Sequence, residues 1–258
     1  MQTIALIARK GGVGKTTSTV SLAGCLAARG IKTLAIDFDP QASLTAALGV
    51  PGPLHGGAAA LFAGTDPAGL IVPTRFPGLS LLPGSPDLDR FNTPTPDGAA
   101  VFVLRDWLNG VSGFERVFID CPPNLYCLSL AAMTAADYVL TPTFADADGI
   151  DAIRFVNAQV AGVQAGPNPA LEQLGIVLGA YQKRNAVNIA YADLLRRHFQ
   201  GLLLDEVIPH AAAFKEARKL KAPVAFCKPK IEASKAVGRV VDEIEARMIR
   251  FTTHKEVA

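Results

Sequence analysis

The sequence predicts an α/β fold in which a twisted, mostly parallel sheet carries helices on both faces. Short apolar runs alternate along the chain with longer segments whose apolar residues recur at helical spacing. The first runs are continuous stretches of apolar residues, as in strands that are buried on both faces. The chain has 258 residues, of which 50% are hydrophobic and 19% are charged, so it is long enough and apolar enough for one domain with a sizeable core.

The secondary structure is assigned in chain order. Residues 51–98 are rich in Pro and Gly and are interpreted as a loop-rich excursion, so residues 1–258 are expected to form a single domain that ends in a basic helical part over 205–258. Strands are predicted over residues 3–8, 32–37, 78–84, 114–120, 137–143, 174–180 and 205–209. Helices are predicted over residues 16–30, 125–135, 148–163, 187–200, 212–221 and 232–249.

Composition restricts the possible classes of protein. The net charge of +2 indicates that any nucleic-acid surface must come from local clustering of basic residues. The four cysteines form no C-x-x-C pair, which is typical of reduced, buried thiols in the cytosol. No signal peptide is expected at the N-terminus, and no apolar stretch reaches the roughly 20 residues of a membrane-spanning helix.

A glycine-rich turn joins the first predicted strand to the first predicted helix. It reads KGGVGKTT over residues 10–17, and its end matches the phosphate-loop pattern G-x-x-x-x-G-K-[ST]. We expect Lys15 to reach the β- and γ-phosphates of ATP, Thr16 to place its hydroxyl on Mg²⁺ and Thr17 to donate to the α-phosphate. The residues expected to bind the nucleotide in this loop are Lys10, Gly11, Gly12, Val13, Gly14, Lys15, Thr16 and Thr17.

This loop departs from the usual pattern at its start. Arg9 stands where the first glycine is expected, and a second lysine, Lys10, precedes the glycines. A lysine at that position would project away from its own nucleotide, and it could reach a nucleotide held by a facing copy of the chain. Cations supplied in trans stabilise the charge of phosphoryl transfer. The loop therefore favours a symmetric dimer with ATP at its interface, although an ordinary surface lysine is the alternative.

Three further segments extend this pattern across nearly the whole chain: AIDFDPQASLTAALG (35–49), VFIDCPPNL (117–125) and EVIPHAAAFKEARKLKAPV (206–224). Together with KGGVGKTT, which is similar to a deviant Walker A motif, they resemble the ParA/MinD group of P-loop ATPases. The resemblance implies a single-domain P-loop NTPase that forms an ATP-dependent sandwich dimer in which Lys10 crosses to the partner's nucleotide. It also implies non-specific DNA binding, slow hydrolysis stimulated by a ParB-like or other cargo adaptor, and a cytoplasmic, nucleoid-associated location.

Three aspartates stand at the ends of two predicted strands. Asp37 and Asp39 end the second strand, where their spacing would place them on opposite faces, and Asp120 ends the strand over 114–120. Carboxylates near Mg²⁺ and ATP can hold metal-bound water or orient the attacking water. The resemblance implies that Asp39 activates water, that Asp37 lies close to the metal and that Asp120 contacts Mg²⁺ through water. Lys10, Lys15 and Asp39 are thus the expected catalytic residues, and aspartates that merely cap a helix are the alternative.

The resemblance also places the adenine near Pro209. The family usually has arginine at the next position, where this chain has His210, so that role is not transferred. Clustered basic residues in the C-terminal third favour contacts with DNA phosphates that weaken with salt, although solvated helix faces are the alternative. The candidate DNA contacts are Lys183, Arg184, Lys215, Arg218, Lys219 and Lys221.

Three other functions stay open on the sequence. A MinD-like membrane ATPase would need a C-terminal amphipathic helix with a basic polar face, whereas acidic residues are mixed into this C-terminus. A metal-cluster reductase of the nitrogenase iron-protein type would need Cys121 and Cys127 to face the dimer axis. A nucleotide-locked scaffold would not hydrolyse ATP, which the presence of Lys15 and Asp39 argues against. The sequence does not identify the cargo.

Overall fold

The computed structural model describes residues 1–52, 56–64, 69–95 and 98–257. Three short stretches of the excursion predicted over 51–98, residues 53–55, 65–68 and 96–97, lie outside the described residues, as does the last residue of the basic C-terminal part.

The centre of the molecule is a sheet with the strand order β3-β4-β2-β5-β1-β6-β7 in the described residues. All neighbouring strands pair in parallel except β3, which is antiparallel to β4. This sheet, with helices packed on it, confirms the predicted fold class. The strands are β1 (Gln2–Leu6), β2 (Thr33–Asp37), β3 (Val72–Pro73), β4 (Leu79–Leu82), β5 (Arg116–Asp120), β6 (Tyr138–Thr143) and β7 (Glu172–Leu178).

The helices follow the strands in the usual βα alternation. Most agree with the sequence prediction to within a few residues, whereas α2, α3 and α8 were not predicted because each is only one or two turns long and has too few residues for a periodic pattern. The helices are α1 (Lys15–Ala28), α2 (Ser43–Leu48), α3 (Val103–Leu108), α4 (Cys127–Ala135), α5 (Gly149–Gln164), α6 (Ala186–His198), α7 (Ala212–Lys219), α8 (Val224–Cys227) and α9 (Glu232–Val257).

The sheet separates two hydrophobic clusters. Along β1, Ile4 and Leu6 belong to the cluster formed with α1 and α9. Ala5, between them, belongs to the cluster formed with α3, α4 and α5 on the other face. This alternation follows from the two-residue period of a strand and explains why the buried strands are apolar at every position.

The strand predicted over 205–209 is not formed. The N–H groups of Asp205 and Glu206 donate to the carboxylate of Glu243 on α9, at 3.1 and 2.9 Å, and not to a neighbouring strand. Among the described residues, isolated bridges pair Pro209 of this segment with Tyr181 and the preceding Leu203 with Ile176 of β7. The segment is apolar enough to resemble a strand, but the N–H groups at its start bond to a side chain, and the N–H of Ile208 donates to the carbonyl of Leu178 in β7 at 2.9 Å without a continuous ladder being formed.

Helix α9 is long and packs its apolar face into the core. Val237, Val240, Val241, Ile244 and Met248 are all buried in the cluster that also contains α1. None of the helices in the described part of the chain combines the length and the apolar character that crossing a bilayer requires.

Helix α1 comes into very close contact with the residues before α8. A Cβ atom built on Gly24 would lie 2.2 Å from Cβ and 2.7 Å from Cγ of Pro223. The flanking residues Ala222 and Val224 are buried in the same cluster as α1. Glycine at position 24 is therefore what allows the chain around Pro223 to pack directly on α1.

Candidate nucleotide-binding site

The glycine-rich turn has a backbone conformation that suits glycine. Gly12 and Gly14 have φ angles of 77° and 89°, in the left-handed region that glycine adopts without strain. Gly14 precedes the first turn of α1, and its carbonyl accepts the N–H of Ser18 at 2.8 Å. The turn thus ends at a helix N-terminus, where free N–H groups and the helix dipole favour an anion such as phosphate.

Two threonines in the first turns of α1 connect the end of the loop to the end of β5. Thr16 Oγ1 donates a hydrogen bond of 2.7 Å to Asp120 Oδ2, and Thr19 Oγ1 lies 3.1 Å from Asp120 Oδ1. Asp120 is fully buried, and this burial, followed by the charge of Asp37, raises the pKa of its carboxyl to about 7. A cation bound beside this carboxylate would favour its charged form, and hydroxyl and carboxylate oxygens are the ligands that Mg²⁺ prefers. The residues present therefore fit a magnesium ion.

Lys15 is the first residue of α1 and is only 8% exposed. Burial lowers the pKa of its ammonium group, whereas the nearby charge of Asp120 acts in the opposite direction. A buried ammonium at the start of a helix is an effective partner for a polyphosphate because little water screens it.

Asp37 lies next to Asp120 across the β2–β5 pairing, yet its carboxylate is already bonded to protein groups. Its Oδ2 accepts the N–H and the hydroxyl of Thr45, both at 2.7 Å. The Thr45 hydroxyl in turn accepts the N–H of Gly84 at 2.9 Å, and a Cβ on Gly84 would lie 2.8 Å from Asp37 Cγ. Burial raises the pKa of Asp37 to about 6. The geometry gives Asp37 the contacts of a residue that positions the loop, and sequence reasoning missed both Thr45 and Gly84.

Asp39 has a more open position than Asp37. It is 9% exposed, and its Oδ1 accepts the N–H of Gln41 at 2.9 Å. Burial raises the pKa of its carboxyl, and the charge of Lys15 opposes that shift. Asp39 lines the same cavity as Lys15, so its carboxylate can accept a hydrogen bond from a water molecule there.

This cavity has a volume of about 300 Å³ and extends from the glycine-rich turn along α1 to α7. The predicted residues that line it are Gly11, Gly12, Gly14, Lys15, Thr16, Thr17, Asp39 and Arg218. Lys10, Val13, Asp37, Asp120 and Pro209 are not among the described residues that line it. The sequence analysis assigned no nucleotide contact to the other lining residues, most of which lie in the segments that carry the family resemblance and meet only in the folded chain: Val20, Ser21, Gln41, Ser43, Ala47, Pro123, Phe214, Ala217, Ala222 and Val224.

Lys10 is held away from the cavity by two aspartates of the connection between β6 and α5. Its ammonium lies 3.1 Å from Asp146 Oδ2 and 2.8 Å from Asp148 Oδ2. The hydrogen bonds that Lys10 donates to Asp148, first, and to Asp146, second, raise the pKa of its ammonium group. The side chain of Lys10 is 41% exposed, so it forms an ion-paired group at the surface beside the loop.

The excursion over residues 51–98 contacts the loop after β2 and the loop after β5. The ring of Phe62 stacks on that of Phe91, with centroids 4.3 Å apart, and lies 6.1 Å from the ring of Phe38. Asn92 Nδ2 donates a hydrogen bond of 3.2 Å to Asn124 Oδ1. One short segment therefore touches the loop after β2 and the loop after β5.

The candidate DNA contacts divide into two groups. Lys183, Arg184, Lys215, Lys219 and Lys221 are exposed, and no ion pair among the described residues involves them. Arg218 is also exposed, but it lines the cavity. Solvated lysines and arginines without carboxylate partners remain available to DNA phosphates.

The cysteines named for a metal cluster lie inside the molecule. Cys121 is 0% and Cys127 is 1% exposed, and burial raises the pKa of both thiols. Among the described residues, no group of three or more His, Cys, Asp or Glu could hold a metal ion. Neither thiol lies on a surface where a second subunit could share it.

A parallel sheet of this order, a glycine turn that opens a helix and a buried threonine–aspartate pair define a P-loop nucleotide-binding protein. Residues 1–173 match the AAA domain family. The chain is 34% identical over 245 residues to the chromosome-partitioning ATPase Soj of Thermus thermophilus, covering 95% of this chain and 96% of that protein. It is 32% identical over 253 residues to the chromosome partitioning protein ParA of Caulobacter vibrioides, covering 96% and 95%. The chain belongs to the ParA/Soj family of partitioning ATPases.

Solved structures agree with this assignment. The complex of Cyanothece McdA with ATP superposes with a TM-score of 0.85 at 22% identity, covering 95% of this chain and 96% of that one, which shows the same fold. Cobyrinic acid a,c-diamide synthase from Mycobacterium smegmatis, solved with a bound ATP analogue and magnesium, has a TM-score of 0.81 at 25% identity and covers 94% and 93%. ATP and magnesium therefore occupy structures of this kind.

Proposed function

We propose that this chain is a Mg²⁺-dependent ATPase that closes into an ATP-bound homodimer, binds DNA without sequence preference and positions a cargo as it hydrolyses ATP. The observation that carries the proposal is the placement of Lys15 and Asp39 on one cavity, beside the bonded pair of Thr16 and Asp120. Membership of the partitioning family supports the cellular role.

Each residue of the site has a role that follows from its position. The N–H groups of the glycine turn and Lys15 would bind the β- and γ-phosphates, and Thr17 the α-phosphate. Thr16, with Asp120 through water, would hold Mg²⁺, which supplies neutralisation of the charge on the transferred group. Asp39 would orient and activate the attacking water. Because Asp37 Oδ2 accepts the N–H and the hydroxyl of Thr45 and its Oδ1 accepts the N–H of Asp39, we assign Asp37 to positioning the loop that carries Asp39.

The homodimer would complete the site with Lys10 of the other subunit. In the single chain this lysine is bound to two aspartates and does not line its own cavity, so its charge is available only after those ion pairs break. A cation from the facing subunit would stabilise the charge that develops at the phosphates. Hydrolysis would then weaken the contact between Lys10 and the phosphates of the facing subunit, and the two subunits would dissociate.

DNA would bind to the exposed cations of the C-terminal half, and a ParB-like or other cargo adaptor would stimulate hydrolysis. The protein would then be cytoplasmic and would associate with the nucleoid. The large apolar residues of α9 from Val237 to Met248 are buried in the core, which supports a DNA-associated role over a MinD-like membrane helix for this part of the chain.

The test is binding to non-specific duplex DNA without nucleotide, with ADP and with ATP, at low and high salt. We expect binding only with ATP, weakening steeply as salt rises, because the contacts are made to phosphates. Lys15→Ala should lose ATP binding and with it DNA binding. DNA binding that is equal in all nucleotide states would contradict the proposed switch.

Release of Lys10 should favour the dimer. We expect the double variant Asp146→Asn, Asp148→Asn to dimerise at roughly two- to fivefold lower protein concentration in ATP, because exposed ion pairs have small but measurable effects. Sedimentation equilibrium would measure this. Asp151→Asn is the matched control, since Asp151 pairs with Arg154 and not with Lys10. A double variant that dimerises like the wild type would show that the two ion pairs do not restrain Lys10.

A further inference from the structure

Helix α7 carries three basic residues, and only one of them lines the nucleotide cavity. Arg218 does so together with Phe214, which lies four residues earlier on the same face of the helix, and with the adjacent Ala217. Lys215 and Lys219 are exposed and are not among the described residues that line it. The sequence predicts that Lys215, Arg218 and Lys219 share one surface. In the structure Arg218 lines the cavity, whereas Lys215 and Lys219 do not.

The guanidinium of Arg218 stands at the wall of the cavity. No ion pair among the described residues involves it, whereas Glu216 on the same helix is paired with Lys228. Asp39 is the acidic residue among the described cavity-lining residues, and Lys15 already stands near it. An unpaired guanidinium at the wall of a cavity is available to a ligand that enters it.

Helix α7 is held in place by contacts with Arg75 and Phe76, which are not among the described residues that line the cavity. Arg75 Nη2 donates to the carbonyls of Leu220 and Lys221 at 2.5 and 2.9 Å, just after the last turn of the helix. The ring of Phe76 packs on that of Phe226, with centroids 5.0 Å apart. The excursion therefore anchors α7, and Arg218 is presented to the cavity by an anchored helix.

The chemistry of the surrounding wall distinguishes this end of the cavity from the phosphate end. Phe214, Ala217 and Val224 are apolar, and Ser21 on α1 lies one turn beyond Thr17. A planar guanidinium next to apolar side chains can stack on a flat ring and donate hydrogen bonds to oxygen at the same time, which an ammonium group cannot do. These are the features that bind a base and a ribose.

We infer that Arg218 binds the nucleoside end of the nucleotide and does not contact DNA. The inference rests on the proposed function, because it takes ATP as the ligand of this cavity. Helix α7 then serves two ligands, with Arg218 facing the nucleotide and with Lys215 and Lys219 facing DNA. The adenine expected near Pro209 would lie against α7 instead.

The test is calorimetric binding of ATP, ADP and inorganic tripolyphosphate to the whole protein and to Arg218→Ala. We expect ATP and ADP to bind about tenfold more weakly, the scale of a lost hydrogen bond to a charged group, and tripolyphosphate to bind as before. Arg218→Lys should recover only part of the affinity, since it keeps the charge and loses the planar fork. Both Arg218 variants should unfold like the wild type in the absence of nucleotide, which would show that their fold is intact.

Lys219→Ala is the matched control on the same helix. It should keep the affinity for ATP and weaken DNA binding measured at saturating ATP, whereas Arg218→Ala should keep DNA binding under those conditions. Unchanged ATP affinity in Arg218→Ala would overturn the inference, as would an equal loss of tripolyphosphate binding. If the wild type itself does not bind ATP, the proposed function fails, and that result differs from either outcome for Arg218.

Discussion

Asp39→Ala should bind ATP and remain on DNA, and it should hydrolyse ATP at least about 100-fold more slowly, because a positioned general base contributes about that much or more. Asp39 lines the cavity beside Lys15, and one of its oxygens is held by the N–H of Gln41, which fixes the orientation of the carboxylate. Removing it takes away the acceptor for the attacking water and leaves the glycine turn and Lys15 in place. Phosphate release in a single turnover is the direct measurement.

A carboxylate outside the site gives the control for Asp39→Ala. Asp106→Asn removes an exposed acid of helix α3, which pairs with Arg105, and should turn over like the wild type. DNA complexes formed with Asp39→Ala in ATP should persist, whereas those of the wild type should decay as ATP is consumed. Turnover at the wild-type rate by Asp39→Ala would show that another group orients the water.

Gly24→Ala should lower the free energy of unfolding by about 3 kcal/mol, the upper part of the range for overpacked cores. The added methyl would lie 2.2 Å from Cβ of Pro223, whose ring cannot rotate away. A loss of this size is a large share of the roughly 5–15 kcal/mol that stabilises a folded protein. Urea unfolding followed by circular dichroism would measure it.

A glycine-to-alanine substitution at position 162 is expected to raise the free energy of unfolding, in contrast to Gly24→Ala. Gly162 lies within helix α5, and a Cβ built on it meets no atom within 4 Å. Gly162→Ala should therefore raise the free energy of unfolding by roughly 0.5–1 kcal/mol through helix propensity alone. If Gly24→Ala were as stable as the wild type, helix α1 and the chain at Pro223 would have to separate at little cost.

The features that could be predicted from the sequence are the local ones. The strand, turn and helix around Gly14 follow one another in the chain, so their residue types alone identify a phosphate loop. Asp37, Asp39 and Asp120 end two apolar runs, and the carboxyl ends of parallel strands meet at one edge of the sheet. The strand order places Asp37 beside Asp120, as that argument requires.

The features that could not be predicted depend on residues far apart in the chain. The bond from Gly84 to Thr45 and the bond from Thr45 to Asp37 support the proposed positioning role of Asp37, and no local pattern predicts them. The spacing of Lys215, Arg218 and Lys219 suggests one surface, but only the folded structure shows that Arg218 lines the cavity that α1 also lines. The absence of a strand at 205–209 depends on Glu243, which is more than thirty residues away.

The contacts of the excursion also bear on how such a protein can change over evolutionary time. Phe62, Phe91 and Asn92 touch Phe38 and the loop after β5, but they are not among the described residues that line the cavity. Because Phe38 directly precedes Asp39, a substitution in this segment can alter the position of the Asp39 carboxylate while the other residues that line the cavity stay unchanged. Under the proposed function, the rate of ATP hydrolysis would therefore be open to selection separately from the affinity for nucleotide.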